Sequence, residues 1–304
     1  MQLGKIVGEW LVISINHEQN GIKLEEFLQH TLKISSRMLQ SLTRTDGLIR
    51  NNKKTHLQAV LSTGDRLKVR LFPKEEYGAT PEFIPIKILF EDEHLLVVDK
   101  PAGLKVHPTE IGEGNTLANA LAYYYQTKGL KIKVRHIHRL DQETSGVILV
   151  AKHRVAQAIL DEKLAKREVQ REYLAVVMGE FTEKKGIIDL PIGRDRHHPT
   201  KRRVSENGEK AITEYSVIEQ YQEAALLRLS LKTGRTHQIR VHLSAINHPL
   251  LGDTLYGGIK KGIKRQALHA EKLTFNHPFT NELIEITAPI PADFLNLLET
   301  LKNN

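Results

Sequence analysis

The segment His136-Ile137-His138-Arg139-Leu140-Asp141-Gln142-Glu143-Thr144-Ser145-Gly146 gathers a carboxylate, a guanidinium and two imidazoles, and the apolar run Val147-Ile148-Leu149-Val150-Ala151 follows at once. A polar stretch leading into a buried-strand signal is how a scaffold presents reactive groups at a sheet edge. Asp141 is therefore the first candidate catalyst, as nucleophile or base, provided that a cation keeps it company. The segment Thr233-Gly234-Arg235-Thr236-His237-Gln238-Ile239-Arg240-Val241-His242 follows an alternating strand and reads as the start of a helix with Thr236 as cap. Arg235, at that junction, is the expected partner of Asp141. The same pair also fits a buried ion pair that only fixes two loops. Tyr173 opens the apolar strand Tyr173-Leu174-Ala175-Val176-Val177, where a core tyrosine with its hydroxyl at the rim is the ordinary reading.

Other chemistries fit less well. His136-x-His138 with Asp141 approaches binuclear metallohydrolase spacing, but Gln142 stands where an Asp-His pair would close that pattern. His237 and His242 are five apart, not the four that puts two ligands on one helical face. No metal is expected. Thr144-Ser145-Gly146 lacks the first glycine of a nucleophile elbow, and no phosphate-cradling P-loop occurs.

The elements that must position these residues read as an α+β domain over 83–304, with a mixed, largely antiparallel sheet flanked by helices and loops. Strands are expected at 86–90, 94–100, 147–151, 173–177, 212–217 and 226–231, and helices at 116–125, 153–167 and 291–301. Residues 73–82, with Pro73 and Pro81 around Gly78, have linker composition. Residues 194–203 form a basic stretch that fits either an RNA-clamping loop or a disordered insertion.

Ahead of the linker, residues 12–72 read as a compact α/β-hairpin unit. Ile22, Leu24, Phe27 and Leu28, then Ile34, Met38, Leu39 and Leu42, recur at helical spacing, with Ser35-Ser36 as a cap between them. Arg37, Arg44, Lys53 and Lys54 fall on the second helix and the hairpin, where one face can follow a phosphate backbone, although surface cations are ordinarily only solvated. The order of "KLEEFL", "ISSRMLQSL", "GLIRNNKK" and "LSTGDRLKV" resembles the S-four-like RNA-binding domain. Where that family usually has Val-Asn-Gly-Lys, this chain has Arg50-Asn51-Asn52-Lys53, and Asn tolerates the left-handed backbone that Gly would supply.

The 304 residues allow two domains, and the formal charge of +8 suits a polyanionic partner without selecting one. With no cysteine there is no disulfide, thiolate metal site or cysteine nucleophile. No signal peptide or membrane-spanning run is read, so the expected compartment is the cytoplasm.

The larger domain resembles the RluA-type pseudouridine synthases. The signature H-R-L-D-x-x-T-S-G is met by "HRLDQETSG", with "DKPAGLKVHP" before it and "LKTGRTHQIRVHLSAINHPLLGDTLYGG" after it. The resemblance implies isomerisation of uridine within RNA without a cofactor: the glycosidic bond breaks, uracil turns, and its carbon five joins the ribose. It assigns Asp141 as the essential catalyst, Tyr173 to packing on the base and proton transfer, and Arg235 to pairing with the Asp. It further implies that Arg139 fills the stack vacated by a flipped base and that Ile239 lines the uracil pocket. Members with an S-four-like domain generally act on large-subunit ribosomal RNA, which is the expected substrate, on a monomer. Transfer RNA as substrate, a non-catalytic RNA-binding assembly factor and a metallohydrolase are the alternatives to test.

Overall fold

A computed structural model describes residues 4–110 and 112–303. The N-terminal unit is a five-stranded sheet built from β1 (Lys5–Val7), β2 (Trp10–Ser14), β3 (Leu48–Arg50), β4 (Lys53–Lys54) and β5 (Arg66–Arg70), in the order β1-β2-β5-β3-β4. Helices α1 (Leu24–Thr31) and α2 (Ser36–Arg44) bury Leu24, Phe27, Leu28, Leu39 and Leu42, the positions their periodicity marked. Ser35 caps α2 by accepting a hydrogen bond from the Met38 N–H at 3.4 Å. At the hairpin tip Asn51 and Asn52 take φ of 49° and 64°, the left-handed turn expected of them.

The second unit is a ten-stranded sheet. Its strands in chain order are β6 (Lys87–Glu91), β7 (Leu95–Lys100), β8 (Arg135–His136), β9 (Ser145–Ala151), β10 (Gln170–Met178) and β11 (Lys185–Asp189). A separate two-stranded hairpin, β12 (Ile192–Arg194) with β13 (Arg202–Val204), precedes β14 (Ile212–Gln220), β15 (Ala224–Leu231), β16 (Leu268–Asn276) and β17 (Leu283–Thr287). The main path runs β11-β14-β15-β10-β16-β9-β7-β6, with β17 on β16 and β8 on β9. Every pairing in this sheet is antiparallel except β9 with β16, so it is the mixed α+β sheet that the sequence implied. Helices α3 (Leu117–Thr127), α4 (Arg154–Ala165), α5 (Gln238–Ala245) and α6 (Ala292–Lys302) flank it. All seven residues of β9 are buried, which is why that strand reads as a continuous apolar run.

Residues 73–82 have no regular secondary structure, yet they lie as a strap against the larger unit. The Glu75 N–H donates to Lys131 O at 2.9 Å, and Tyr77 O accepts from the Val134 N–H at 2.9 Å. The Glu75 carboxylate takes both the buried Arg135 and the exposed Arg154. Phe72 meets His153 edge-on, with ring centroids 5.0 Å apart. One hydrophobic cluster runs through both units. Among the described residues, no helix is long and apolar enough to cross a membrane.

Candidate active site

Asp141 lies in the turn between β8 and β9, where the Thr144 N–H donates to Asp141 O at 3.0 Å. The exit of this turn depends on Gly146. Its φ is +116°, and a Cβ built there would meet Ala270 O at 2.1 Å, because β9 and β16 run parallel at this point with Ala270 opposite Gly146.

The cation on Asp141 is Arg240, with Nη1 3.0 Å from Oδ2. Arg240 is itself oriented by a bidentate pair with Asp253, Nε to Oδ2 at 2.7 Å and Nη2 to Oδ1 at 2.8 Å. Its guanidinium carbon also sits 4.9 Å from the centroid of the Tyr256 ring. A second nitrogen faces the same carboxylate oxygen, His237 Nε2, at 3.8 Å from Asp141 Oδ2. The Tyr256 hydroxyl accepts from the Arg202 N–H and also lies 2.8 Å from His237 Nδ1, which fixes the imidazole ring with Nε2 toward Asp141. Burial lowers the His237 pKa despite that carboxylate. Both contacts with Asp141 use Oδ2.

The expected pairing of Arg235 with Asp141 is not made. Arg235 turns outward to Glu209 and to Lys210 O, the latter at 3.2 Å from Nε. The physical reason is the helix start. Thr236 does not cap α5; the cap position is His237, in the left-handed region at φ 57°. The turn before it is closed by the Gln238 side chain, whose Oε1 accepts from the Arg235 N–H at 3.0 Å and the Thr233 hydroxyl at 2.7 Å. Arg235 thus stands outside the helix, while Arg240, in its first turn, faces inward.

Asp141 opens into a cleft of about 1430 Å³ whose lining also includes Arg139, Arg171, Tyr173, Ile239 and Arg235. Tyr173 is 4% exposed, and burial raises its pKa. Ile239 is buried and Arg139 exposed at the mouth. His136 stacks on His107 with centroids 5.1 Å apart, and His138 accepts the Leu149 N–H at Nε2 over 3.2 Å. Burial pushes the His136 pKa down to about 4 and that of His138 to about 3, so both are neutral. His242 binds Thr213 and Leu190 O instead of facing the cleft. The basic stretch 194–203 is folded into the hairpin of β12 and β13, whose Arg194 and Arg202 line the rim.

A deep cleft with a carboxylate held by a buried arginine, beside a buried tyrosine, coincides with the match to known proteins. The RNA pseudouridylate synthase family matches residues 94–245, which span β7 to the end of α5. The chain is 47% identical to the uncharacterized RNA pseudouridine synthase YhcT of Bacillus subtilis (strain 168), over 96% of this chain and 98% of that protein. The chain belongs to the RNA pseudouridylate synthase family. As a pseudouridine synthase it is an isomerase. It is also 38% identical to the ribosomal large subunit pseudouridine synthase D of Haemophilus ducreyi (strain 35000HP / ATCC 700724), over 97% of this chain and 95% of that one. Among solved structures, human RNA pseudouridylate synthase domain containing 4 superposes with a TM-score of 0.60 at 27% identity, covering 71% of this chain and 93% of that one.

The synthase also fixes the turn that carries Asp141 through residues that sequence reasoning did not single out. Lys100, fully buried at the end of β7, donates from Nζ to Pro101 O and Leu104 O at 2.8 Å and to Gln142 O at 3.0 Å. Burial pushes its pKa down to about 7. Arg265 Nη1 donates to Glu143 O at 3.1 Å while Nε binds Asp293 at 2.7 Å. Gln266 Nε2 reaches the Thr144 hydroxyl at 3.1 Å, and His269 Nδ1 lies 2.9 Å from the Ser145 hydroxyl. Four consecutive residues after Asp141 are thus each held by a different distant side chain. The signal in the sequence was faint: Lys100 follows the apolar run 95–98 and Asp99 at the end of β7, and a buried lysine there needs partners.

Arg37, Arg44, Lys53 and Lys54 are exposed on the N-terminal unit and do not line the cleft. Lys54 pairs with Asp46 at 2.6 Å.

Proposed function

We propose that this synthase isomerises uridine in structured RNA, with large-subunit ribosomal RNA as its substrate and Asp141 as the essential group. The observation that carries this reading is the Asp141–Arg240–Asp253 chain on the cleft wall, beside Tyr173. A uridine inside folded RNA must be extruded before its glycosidic bond is accessible, at a cost of a few kcal/mol. Arg139 is exposed at the cleft mouth, and a guanidinium both stacks on bases and pairs with phosphate, so it is suited to fill the vacated stack. Tyr173 packs against the extruded base and Ile239 completes its apolar wall. Asp141 either adds through Oδ1 to the ribose carbon as uracil leaves or stabilises a glycal route. Breaking the nitrogen bond and joining carbon five to the same ribose carbon occur within one molecule, so positioning suffices and no cofactor is needed.

The proteins named ribosomal large subunit pseudouridine synthase D support the choice of RNA, since this chain covers nearly all of the Haemophilus ducreyi relative. Residues 12–72 act as an S-four-like RNA-binding domain, with Arg37, Arg44, Lys53 and Lys54 on phosphates. The enzyme works as a cytoplasmic monomer. The test is pseudouridine mapping of total RNA from cells that lack this protein and carry either the wild type or Asp141→Asn. The wild type restores one or a few sites in large-subunit ribosomal RNA and the variant restores none while still binding RNA. Restoration by the variant would remove Asp141 from the chemistry, and restored sites confined to transfer RNA would replace the substrate.

A further inference from the structure

Four arginines are buried among the described residues: Arg135, Arg171, Arg240 and Arg265. Three of them hold carboxylates, Arg135 that of Glu75, Arg240 those of Asp141 and Asp253, and Arg265 that of Asp293. Arg171 has none within ion-pairing distance among the described residues. It is 9% exposed, lines the cleft, and makes one long hydrogen bond, from Nη2 to Thr233 O at 3.4 Å. Its Nε is buried with no partner. A guanidinium carries five donors, and a buried charge without a counter-ion is costly, so the missing anion is expected from outside the chain.

The surroundings keep that position open. A Cβ at Gly234 would come within 2.9 Å of Arg171 Nη1, so the bare glycine leaves the guanidinium its room. Arg171 and Tyr173 are two apart on β10 and emerge on one face, with Cα atoms about 6.6 Å apart at the usual strand rise. The lining of the cleft also includes Asp161 and Leu164 of α4 and Arg167 just after it.

We propose that Arg171 takes a backbone phosphate next to the uridine whose base lies on Tyr173, and so sets the register of the RNA strand in the cleft. This rests on the reading of the cleft as an RNA site. A phosphate fits better than a uracil oxygen because the absent partner is a full negative charge, and a planar guanidinium suits phosphate oxygens.

The experiment uses the full-length protein with an unmodified in vitro transcript of large-subunit ribosomal RNA, comparing wild type, Arg171→Gln and Arg171→Lys. Binding is measured across a salt series, and pseudouridine formation at saturating RNA. Arg171→Gln is expected to raise Kd about tenfold and reduce the slope of log K against log salt by about one. Turnover at saturation should fall together with affinity, because a strand out of register presents the uridine poorly to Asp141. Arg171→Lys keeps the charge and should show the wild-type slope with an intermediate Kd. Wild-type Kd and slope in Arg171→Gln would overturn the proposal, as would unchanged Kd with reduced turnover. If Arg171→Gln does not fold, Arg171→Lys decides: weaker binding at the wild-type slope supports the contact, and wild-type binding with a lowered Tm overturns it. Wild type that binds the transcript without forming pseudouridine would refute the proposed reaction, while the salt slopes would still judge Arg171.

Discussion

Arg240 meets Asp141 at 3.0 Å, and it does so from a side chain already fixed by two hydrogen bonds to Asp253. Asp141 therefore receives a preoriented cation. Arg235, five residues earlier, is on the surface with Glu209.

This arrangement predicts opposite outcomes for two nearby arginines. Arg240→Met should abolish pseudouridine formation and cost about 3–5 kcal/mol of stability, because it leaves the buried Asp253 carboxylate without its partner. Adding Asp253→Asn should recover much of that stability and none of the activity. Arg235→Ala, which removes an exposed pair, should change stability by no more than about 1 kcal/mol. Urea denaturation with a single-turnover assay distinguishes these outcomes, and a wild-type rate in Arg240→Met would refute the role given to Arg240.

Lys100 is fully buried and ties Gln142 to the loop at Pro101 and Leu104. Lys100→Met keeps the stem and removes the donors, leaving carbonyls without partners at a cost of about 1–3 kcal/mol. Turnover at saturating RNA should drop while Kd for RNA stays unchanged, because the turn carrying Asp141 loosens and the phosphate contacts do not. A raised Kd with normal turnover would contradict this positioning role.

Gly146→Ala should be more damaging than its single methyl suggests. Both the positive φ and the contact with Ala270 O oppose a Cβ, so β9 must separate from β16. The expected loss exceeds about 1 kcal/mol, seen as a lower urea midpoint, and activity should fall with it because Asp141 precedes this exit. Wild-type stability in this variant would show that the parallel contact is not needed.

Acidification should destabilise the fold between pH 6.5 and 4. Burial pushes the pKa of His94, His136 and His269 down to about 4 and that of His138 to about 3, and holds His153 well below its ordinary value. In this window the unfolded chain binds protons that the folded chain refuses, so stability is fully present above about pH 6.5 and declines below it. His153 is a useful probe because its Nδ1 caps α4 on the Ala156 N–H and its Nε2 lies 2.9 Å from His94 Nδ1. His153→Asn keeps a capping acceptor and cannot charge, so its Tm profile against pH should be flatter than that of the wild type. An identical profile would mean that His153 does not contribute.

Much of this molecule was legible in the sequence because the signals are local. Apolar runs placed β7, β9 and β10, helical patterning placed α1, α2, α4 and α6, and the Asn51-Asn52 tip declared its own backbone. The segment around Asp141 declared itself through residue types alone. What the sequence left open was decided by distance in the chain. Arg235 and Arg240 were both available to Asp141, and the choice came from a left-handed His237 and a Gln238 side chain that delay the start of α5. The anchoring of residues 142–145 by Lys100, Arg265, Gln266 and His269 joins positions up to 124 apart in sequence, which no local spacing encodes. The strap at 73–82 looked like a linker because its composition is polar, and it is ordered only by the surface of the unit it lies on. Local patterning thus determined the elements and singled out Asp141, while the partners of its carboxylate, set by side chains meeting across the sheet, were determined only by the tertiary fold.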